Sequence, residues 1–247
     1  PKKHTAIHLR EAMEEAGGAY VKLGQMLSLR GDLTPKDFCE EFAKLQDHVK
    51  PIPYSQVKKV IETDFGKPIE KIFLEFDKKP IAAASIAQVH KAKLKNGQIV
   101  AVKIQRPQIR EKFKADIQIL YYIAGQAEKY IPEIRTFKPT RIVKEFETYT
   151  KEELDFLSEA RNIDTFYSKY KYNQQIKIPK VFWDYTTSRV LTMTYLDGKK
   201  VSEMKRLSKE EKKHIALTIY NSFLTQAFDM HVFHADPHPG NIFVLKN

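Results

Sequence analysis

The segment His234–Asn241 combines residue types that could carry out phosphoryl transfer. It reads His-Ala-Asp-Pro-His-Pro-Gly-Asn, and an apolar run at 242–245 follows it. The carboxylate of Asp236 can orient or deprotonate a nucleophile, and the Asn241 amide, five residues later, can hold a magnesium ion. His234 completes the His-x-Asp spacing of such loops. The segment is therefore a candidate catalytic centre that ends where a strand begins.

Two other interpretations of this segment stay open from its residues alone. Prolines, glycine, Asp and Asn also favour turns that have no chemical role. Histidine and aspartate at close spacing are moreover potential zinc or iron ligands, and such a metal site would use His231, His234, Asp236 and His238. The rest of the chain has to distinguish these functions.

Composition narrows the classes of protein to which the chain could belong. The 247 residues carry a net charge of +11, which favours phosphate-bearing partners. The basic residues are mixed with acids and accompany no nucleic-acid-binding motif, so we expect no nucleic-acid partner. The single cysteine, Cys39, excludes an internal disulfide and fits packing better than catalysis. No apolar run has the length of a bilayer span, and from the start at Pro1 we expect a piece of a longer protein.

Hydrophobic periodicity and turn residues predict helices first, strands in the middle, and helices again. Asn96-Gly97 is the strongest hairpin signal in the chain. Grouped rather than alternating elements favour an α+β fold. A first helical stripe runs through 6–13. The other predicted helices are 20–30, 36–47 (after an N-cap at Thr34 and a first-turn proline at Pro35), 55–65, 108–131, 139–170 and 208–230, and the predicted strands are 85–94, 98–105, 180–184 and 189–195.

The second strand of the predicted hairpin carries Val-Ala-Val-Lys at 100–103. Alternation along a strand places Ala101 and Lys103 on one face, so a small residue leaves room for a flat base beside an ammonium that can reach phosphates. One strand earlier lies the run Ala82-Ala83-Ala84-Ser85. Its small side chains let backbone N–H groups approach phosphate, although alanine lacks the conformational freedom of glycine. The alternatives are that Lys103 is an ordinary solvated lysine and that the alanine run is an ordinary core segment.

Two further segments, one acidic and one near the N-terminus, carry charged side chains that could serve a site. Asp155 and Glu159 are four residues apart and are predicted to share a helical face, where their like charges need a cation between them. Glu153 and Asp155 cannot point the same way from a regular helix, so only one should enter a cleft unless the helix is distorted. Lys22 and Gln25 share a face of another helix, and the glycine between them permits close approach of a second backbone.

In the order of these motifs the chain resembles the UbiB family of atypical, protein-kinase-like proteins, which are associated with coenzyme Q and other prenyl-lipid metabolism. The KxGQ motif of that family matches 22–25 and its ExD motif matches 153–155. The resemblance implies a protein-kinase-like α+β fold. It also implies a helical KxGQ extension at 1–50, a small lobe with inserted helices at 51–196, and a partial large lobe at 197–247.

The resemblance further implies a role for each motif in binding ATP or ADP with Mg²⁺. Lys103 and Glu159 would form the ion pair that activates the nucleotide, Asp236 with His234 would be the catalytic residues, and Asn241 would be a metal ligand. The nucleotide would contact the alanine-rich loop, the lysine strand and a hinge strand, at Ala82, Ala83, Ala84, Ser85, Ala101, Lys103, Met193, Thr194 and Tyr195.

The KxGQ helix of such proteins implies a lid over the active site that keeps protein substrates out. Lys22 and Gln25 would belong to the lid, and Lys22 would lie near Glu153 or Asp155. The expected partners are a nucleotide and lipids or membrane-bound biosynthetic enzymes, at the cytoplasmic face of a membrane or inside an organelle. The Asp-Phe-Gly metal ligand of kinases would come after Asn247, which again predicts that the chain is a fragment.

Two other functions compete with this interpretation. A small-molecule kinase of the aminoglycoside or choline type has the same catalytic-loop spacing but lacks KxGQ, so Lys22 and Gln25 distinguish the two. An inactive, nucleotide-gated scaffold would bind lipid enzymes without turnover, but the intact Lys103, Glu159 and catalytic loop argue against it. The family usually has glycine where this chain has Ala235, a conservative change. The order of the motifs disfavours the metal-site alternative.

Overall fold

The computed structural model describes residues 2–45, 50–204, 207–230 and 242–245, which form a mixed helix and sheet fold. The chain divides into two compact units, Pro1–Ala160 with Phe182–Thr192 and Arg161–Val181 with Met193–Asn247. The predicted α+β fold class is confirmed. The proposed three-part division follows the motifs and stays a prediction.

In the first unit, a group of short helices precedes a sheet, and long helices follow it. Its elements are α1 (Lys2–Ala16), α2 (Gly18–Ser28), α3 (Lys36–Phe42), α4 (Tyr54–Phe65), α5 (Ile69–Ile72), β1 (Phe73–Phe76), β2 (Ala82–Ala83), β3 (Ala87–Leu94), β4 (Ile99–Gln105), α6 (Ile109–Tyr130), a 3-10 segment (Pro132–Phe137), α7 (Pro139–Glu153), the start of α8 (Phe156–Tyr170) and most of β5 (Val190–Thr194).

The predicted hairpin is confirmed as β3 and β4, which close at Asn96-Gly97. Gly97 has a φ of 86°, a conformation that suits glycine in a tight hairpin turn. The sheet has the order β1-β3-β4-β5, and β2 pairs with β3. Val100, Val102 and Ile104 are fully buried on one face of β4, as the alternation predicted, and α4 packs into the same core.

Three predicted elements differ from the structure. The predicted helix 139–170 is two helices, α7 and α8, separated at Leu154 and Asp155. In place of the predicted strand 180–184, the structure has a single bridge from Val181 to Met193, followed by a 3-10 turn at Trp183–Tyr185. The backbone groups of the turn bond to one another, so they are not available for pairing with a neighbouring strand. The helix predicted for 36–47 ends at Phe42, and Pro35, with an extended ψ of 147°, occupies the N-cap position assigned to Thr34.

The second unit contains the rest of α8, the pair β6 (Gly198–Lys200) and β7 (Phe243–Leu245), and α9 (Lys209–Leu224). Ser208 starts α9 through a capping box, in which its hydroxyl accepts from the Glu211 N–H at 3.1 Å and its own N–H donates to Glu211 at 2.7 Å. The predicted helix 208–230 continues past α9 as a π-helical turn. Among the described helices, none is both long and apolar enough to cross a bilayer.

A histidine and a glutamine form a buried polar network beside the sheet. The His90 ring is fully buried, with Nδ1 2.7 Å from the Asp77 carbonyl and Nε2 2.8 Å from the Gln88 amide nitrogen. The Gln88 amide is oriented by its oxygen, which accepts from the Ile52 N–H at 2.9 Å. Since a carbonyl only accepts, Nδ1 carries the proton and Nε2 accepts, so His90 is neutral. Burial lowers the pKa of His90 from its usual 6.5.

We predict that the free energy of unfolding falls as the pH drops below about 6.5. In that range the unfolded chain binds a proton at His90 that the native state does not bind, so stability is lost at up to about 1.4 kcal/mol per pH unit. Chemical denaturation between neutral and mildly acidic pH measures this slope. His90→Gln should remove this contribution to it, whereas substitution of the exposed His214 by Gln should leave the slope of the wild type.

Candidate active site

An ion pair joins the sheet to α8 at the centre of the candidate site. The Lys103 ammonium on β4 donates to both carboxylate oxygens of Glu159, at 2.9 and 2.7 Å. It also lies 4.8 Å from the ring centroid of Phe156, which is fully buried. Both charged side chains stay partly exposed, 22% for Lys103 and 34% for Glu159, so the pair is held in position and remains in contact with solvent. The predicted Lys103–Glu159 pair is confirmed.

The interruption between α7 and α8 positions Glu159. Side chains that the sequence did not single out stabilise this interruption. The Leu154 carbonyl, at the end of α7, accepts from Gln105 Nε2 at 2.9 Å and from Arg110 Nη2 at 2.8 Å. The Phe156 N–H, at the start of α8, donates to the Ser188 carbonyl. These bonds replace the helical bonds that are lost at the break. In the sequence, the one available indication of this arrangement was Gln105, a polar residue at the end of an apolar strand, which the structure shows to be buried.

Asp155 lies in the interruption and begins α8. Its carboxylate accepts a hydrogen bond from the Leu157 N–H at 3.2 Å, which is the role of an N-cap residue. Asp155 precedes the helix that carries Glu159, but its carbonyl accepts from the Glu159 N–H at 3.3 Å, so the two residues keep the i, i+4 relation of the predicted shared face. The helix is distorted at this point, so Glu153 and Asp155 do not belong to one regular helix and can serve separate roles.

A second ion pair joins α2 to the end of α7. The Lys22 ammonium lies 2.8 Å from Glu153 Oε1, and the two side chains are only 14% and 25% exposed. The other carboxylate oxygen of Glu153 is buried and accepts no hydrogen bond within the described part of the chain. Nearby, Arg30 donates to Glu145 of α7 at 3.1 Å. The prediction that Lys22 lies near Glu153 is confirmed, while its role as a lid stays a prediction.

The glycine of the KxGQ motif is explained by packing within the N-terminal helices. A Cβ at Gly24 would overlap the Leu45 side chain and lie 3.0 Å from Met13 Sδ. Gln25, the other predicted lid residue, donates to the Leu45 carbonyl at 3.2 Å. Gln25 therefore stabilises the N-terminal group of helices. Among the described contacts of this motif, only those of Lys22 reach the acidic segment.

The alanine-rich loop is fixed by an arginine that follows β4. Ala82 and Ala83 form β2, whose partner is β3, and Ser85 is buried. Arg106 Nε donates to the Ala84 carbonyl at 2.8 Å, and Arg106 Nη2 donates to the Lys50 carbonyl at 2.9 Å. Sequence reasoning missed Arg106, since a basic residue after a strand normally points to solvent.

The remaining predicted residues are placed only in part. Ala101 is buried on β4. Met193, Thr194 and Tyr195 lie at the end of β5 and just after it, where the Thr194 N–H donates to the Lys180 carbonyl at 2.9 Å. The residues 231–241, and with them His234, Asp236 and Asn241, lie outside the described residues, so their roles stay predictions. The alternative metal cluster at 231–238 lies there too, and the described residues contain no group of three or more metal-ligating side chains.

Comparison with known proteins identifies relatives across the whole chain. A model of the ABC1 atypical kinase-like domain matches residues 44–247. A probable protein kinase UbiB of Marinobacter nauticus is 40% identical over 246 residues, which are 99% of this chain and 45% of that protein. The chloroplastic protein ACTIVITY OF BC1 COMPLEX KINASE 7 of Arabidopsis thaliana is 37% identical over 245 residues, which are 98% of this chain and 35% of that protein.

A solved structure shares the fold. The Rv3197–erythromycin complex from Mycobacterium tuberculosis superposes with a TM-score of 0.72 at 27% identity, covering 99% of this chain and 62% of that chain. The chain spans less than half the length of the two curated relatives. The resemblance to UbiB proteins that the motifs predicted is confirmed.

We predict that Lys22→Ala destabilises the chain by about 1–3 kcal/mol, because it leaves a largely buried Glu153 carboxylate without its cation. The double variant Lys22→Ala/Glu153→Gln should recover part of that loss, since the charge is then removed as well. Chemical denaturation of the four proteins of this cycle measures the coupling. Lys151→Ala is the control, because Lys151 pairs with Glu147 at 71% exposure and should cost less than about 0.5 kcal/mol.

Proposed function

Because the chain belongs to the ABC1 atypical kinase-like family, we propose that it is the nucleotide-binding part of a UbiB-like kinase or ATPase. The observation that carries the proposal is the bidentate Lys103–Glu159 pair, with distances of 2.7 and 2.9 Å. Such a lysine–glutamate pair is the arrangement that orients the α- and β-phosphates in kinases. A partly exposed lysine whose ammonium is held by a carboxylate and an aromatic ring suits a phosphate contact.

Each residue of the site has a distinct part in the proposed reaction. Lys103 binds the phosphates, and Glu159 holds its ammonium in place. Asp236 orients or deprotonates the attacking hydroxyl or water, and His234 supports that loop. Asn241 would hold Mg²⁺, which neutralises phosphate charge when the metal nucleotide is bound.

The position of Lys22 favours restricted access to this site over the broad access of a protein kinase. Its pair with Glu153 ties the N-terminal helices to the residues just before α8, next to the pair that orients the nucleotide. A small-molecule kinase of the aminoglycoside or choline type has no counterpart of this pair. We therefore favour ATP hydrolysis or phosphorylation of a small molecule, in support of isoprenoid-quinone or other prenyl-lipid metabolism at a membrane.

We predict that Lys103→Ala or Asp236→Asn lowers kcat/KM for ATP turnover about a hundredfold or more, because one loses the phosphate contact and the other the catalytic carboxylate. A coupled assay of ADP release from the intact protein measures this effect. Lys93→Ala is the control, since Lys93 pairs with Glu75 at the surface of the same sheet. Wild-type turnover in both active-site variants would reject the assignment.

We predict that Ala83→Gly or Ala84→Gly changes the ratio of ATP to ADP affinity by about two- to fivefold, because glycine frees the backbone where phosphates approach. Arg106→Ala should act in the same direction, since it releases the Ala84 carbonyl. Titration calorimetry with both nucleotides measures the ratio. Ala43→Gly, an equal loss of a methyl group at the end of α3, is the control, and a ratio that none of the loop variants changes would remove the loop from nucleotide selection.

A further inference from the structure

The helix that precedes the candidate catalytic loop ends in an unusual turn. α9 stops at Leu224, and Thr225–Met230 continue it as a π-helical turn, directly before residues 231–241 of the chain. In a π-helical turn each N–H bonds five positions back instead of four, so the turn holds one extra residue. The extra residue rotates the chain that follows by about 100°, the angle between successive helical residues. π-helical turns are rare and occur frequently at functional sites.

A buried polar side chain marks this turn. Across α9 and the π-helical turn, all of whose residues are described, Gln226 is the one buried residue, whereas Tyr220 and Phe228 are 60% and 72% exposed. Burial of an amide is costly unless the amide is hydrogen-bonded. Gln226 Nε2 donates to the Ser222 hydroxyl, four residues earlier, at 2.9 Å. A polar contact therefore accompanies the burial of Gln226.

Tyr170, at the end of α8, extends this contact into a network. Tyr170 is buried, and its hydroxyl lies 3.2 Å from the Ser222 carbonyl and 2.9 Å from the Ser222 hydroxyl. Because a carbonyl only accepts, the Tyr170 hydroxyl donates its one proton to the carbonyl and accepts from the Ser222 hydroxyl. The Ser222 hydroxyl in turn accepts from Gln226. The three side chains thus form one directed chain of hydrogen bonds.

The network lies where α9 passes into the π-helical turn. In a regular α-helix the Ser222 carbonyl accepts from the N–H four residues later, and π-helical bonding moves that partner by one position. At this junction the Thr225 N–H donates to both the Asn221 and the Ser222 carbonyls, a divided bond that is common at helix ends. The Tyr170 hydroxyl supplies the Ser222 carbonyl with a further donor from another helix. The network therefore stabilises the change from α- to π-helical bonding.

We propose that Tyr170, Ser222 and Gln226 are positioning residues for the catalytic loop. They hold the π-helical turn and thereby set the direction in which residues 231–241, with Asp236, continue from it. Catalytic groups have to be held close to their productive geometry, and a displacement of about 1 Å that originates far from the chemistry can cost about a hundredfold in rate. The network therefore acts on turnover through the loop, and this inference rests on the proposed function, which assigns the reaction to Asp236.

A role in stability alone is the competing explanation, because hydrogen bonds between two helices stabilise a fold wherever they lie. The place of the network favours positioning, since its bonds meet at the junction with the turn that adjoins the loop. The two explanations differ in what they predict for variants. Loss of stability lowers the fraction of the protein that binds nucleotide. Loss of positioning lowers the turnover of each protein molecule that has nucleotide bound.

Turnover and nucleotide binding of matched tyrosine variants of the intact protein separate these explanations. Tyr170→Phe removes one hydroxyl and keeps the ring. We expect kcat for ATP turnover to fall about tenfold, while ATP affinity and the fraction of protein that binds ATP stay within about twofold of the wild type. Tyr172→Phe, the control, removes the hydroxyl of a tyrosine that is 86% exposed and should behave like the wild type. Ser222→Ala should resemble Tyr170→Phe, whereas Ser222→Thr, which keeps a hydroxyl, should restore most of the turnover.

Amide hydrogen exchange gives a second measurement that does not depend on turnover. In Tyr170→Phe, peptides that cover 225–241 should exchange about tenfold faster than in the wild type, while peptides of β4 should be unchanged. Wild-type kcat in Tyr170→Phe, or a fall in kcat that an equal fall in the fraction binding ATP explains, would overturn the proposal. If the wild type itself turns over no ATP, the proposed function fails. Unchanged exchange of 225–241 in Tyr170→Phe would then reject the positioning role separately.

Discussion

The hydrogen bonds to the Leu154 carbonyl fix the geometry on which the rest of the candidate site depends. Gln105 from β4 and Arg110 from α6 both donate to this oxygen, and they stabilise the point where α7 stops and α8 begins. In a continuous helix, the helical repeat would fix the directions of the Glu153 and Glu159 side chains relative to each other. The interruption instead lets Glu153 meet Lys22 and lets Glu159 meet Lys103, two lysines that lie far apart in the chain. An unpaired buried carbonyl at this point would be costly, which explains why two side chains serve it.

The two lysine–glutamate pairs have different consequences because their surroundings differ. The pair of Lys22 and Glu153 is largely buried and has one carboxylate oxygen with no described partner, so loss of either side chain would leave the other charge buried and weaken the attachment of the N-terminal helices. The pair of Lys103 and Glu159 keeps part of its surface open. In the proposed function, a lysine that its carboxylate partner already holds in place would contact a phosphate without being repositioned, which is the value of preorganisation in phosphoryl transfer.

The same N-terminal region reaches the alanine-rich loop through the segment after the helices. Arg106 joins the Lys50 and Ala84 carbonyls, and Gln88 bonds the backbone of Ile52. The backbone that leaves the N-terminal helices is thereby tied to the loop proposed to approach phosphate. A loop of alanines tied in this way has less freedom than a glycine-rich loop, so it should select among nucleotides by fit rather than adapt to each.

The sequence by itself determined the elements whose signals are local. The Asn-Gly turn and the alternation of β4 each depend on a few neighbouring residues. The order of motifs identified the family, the partner of Lys103, and Glu153 as one of two candidate partners of Lys22. Only the tertiary structure decided where the helix 139–170 breaks, because the bonds that stabilise the break come from Gln105 and Arg110, far away in sequence. It likewise decided the role of Arg106 and the contact of Tyr170 with Ser222. Hydrogen bonds and burial between distant segments leave no periodic pattern, and therefore such features have to be read from the packed chain.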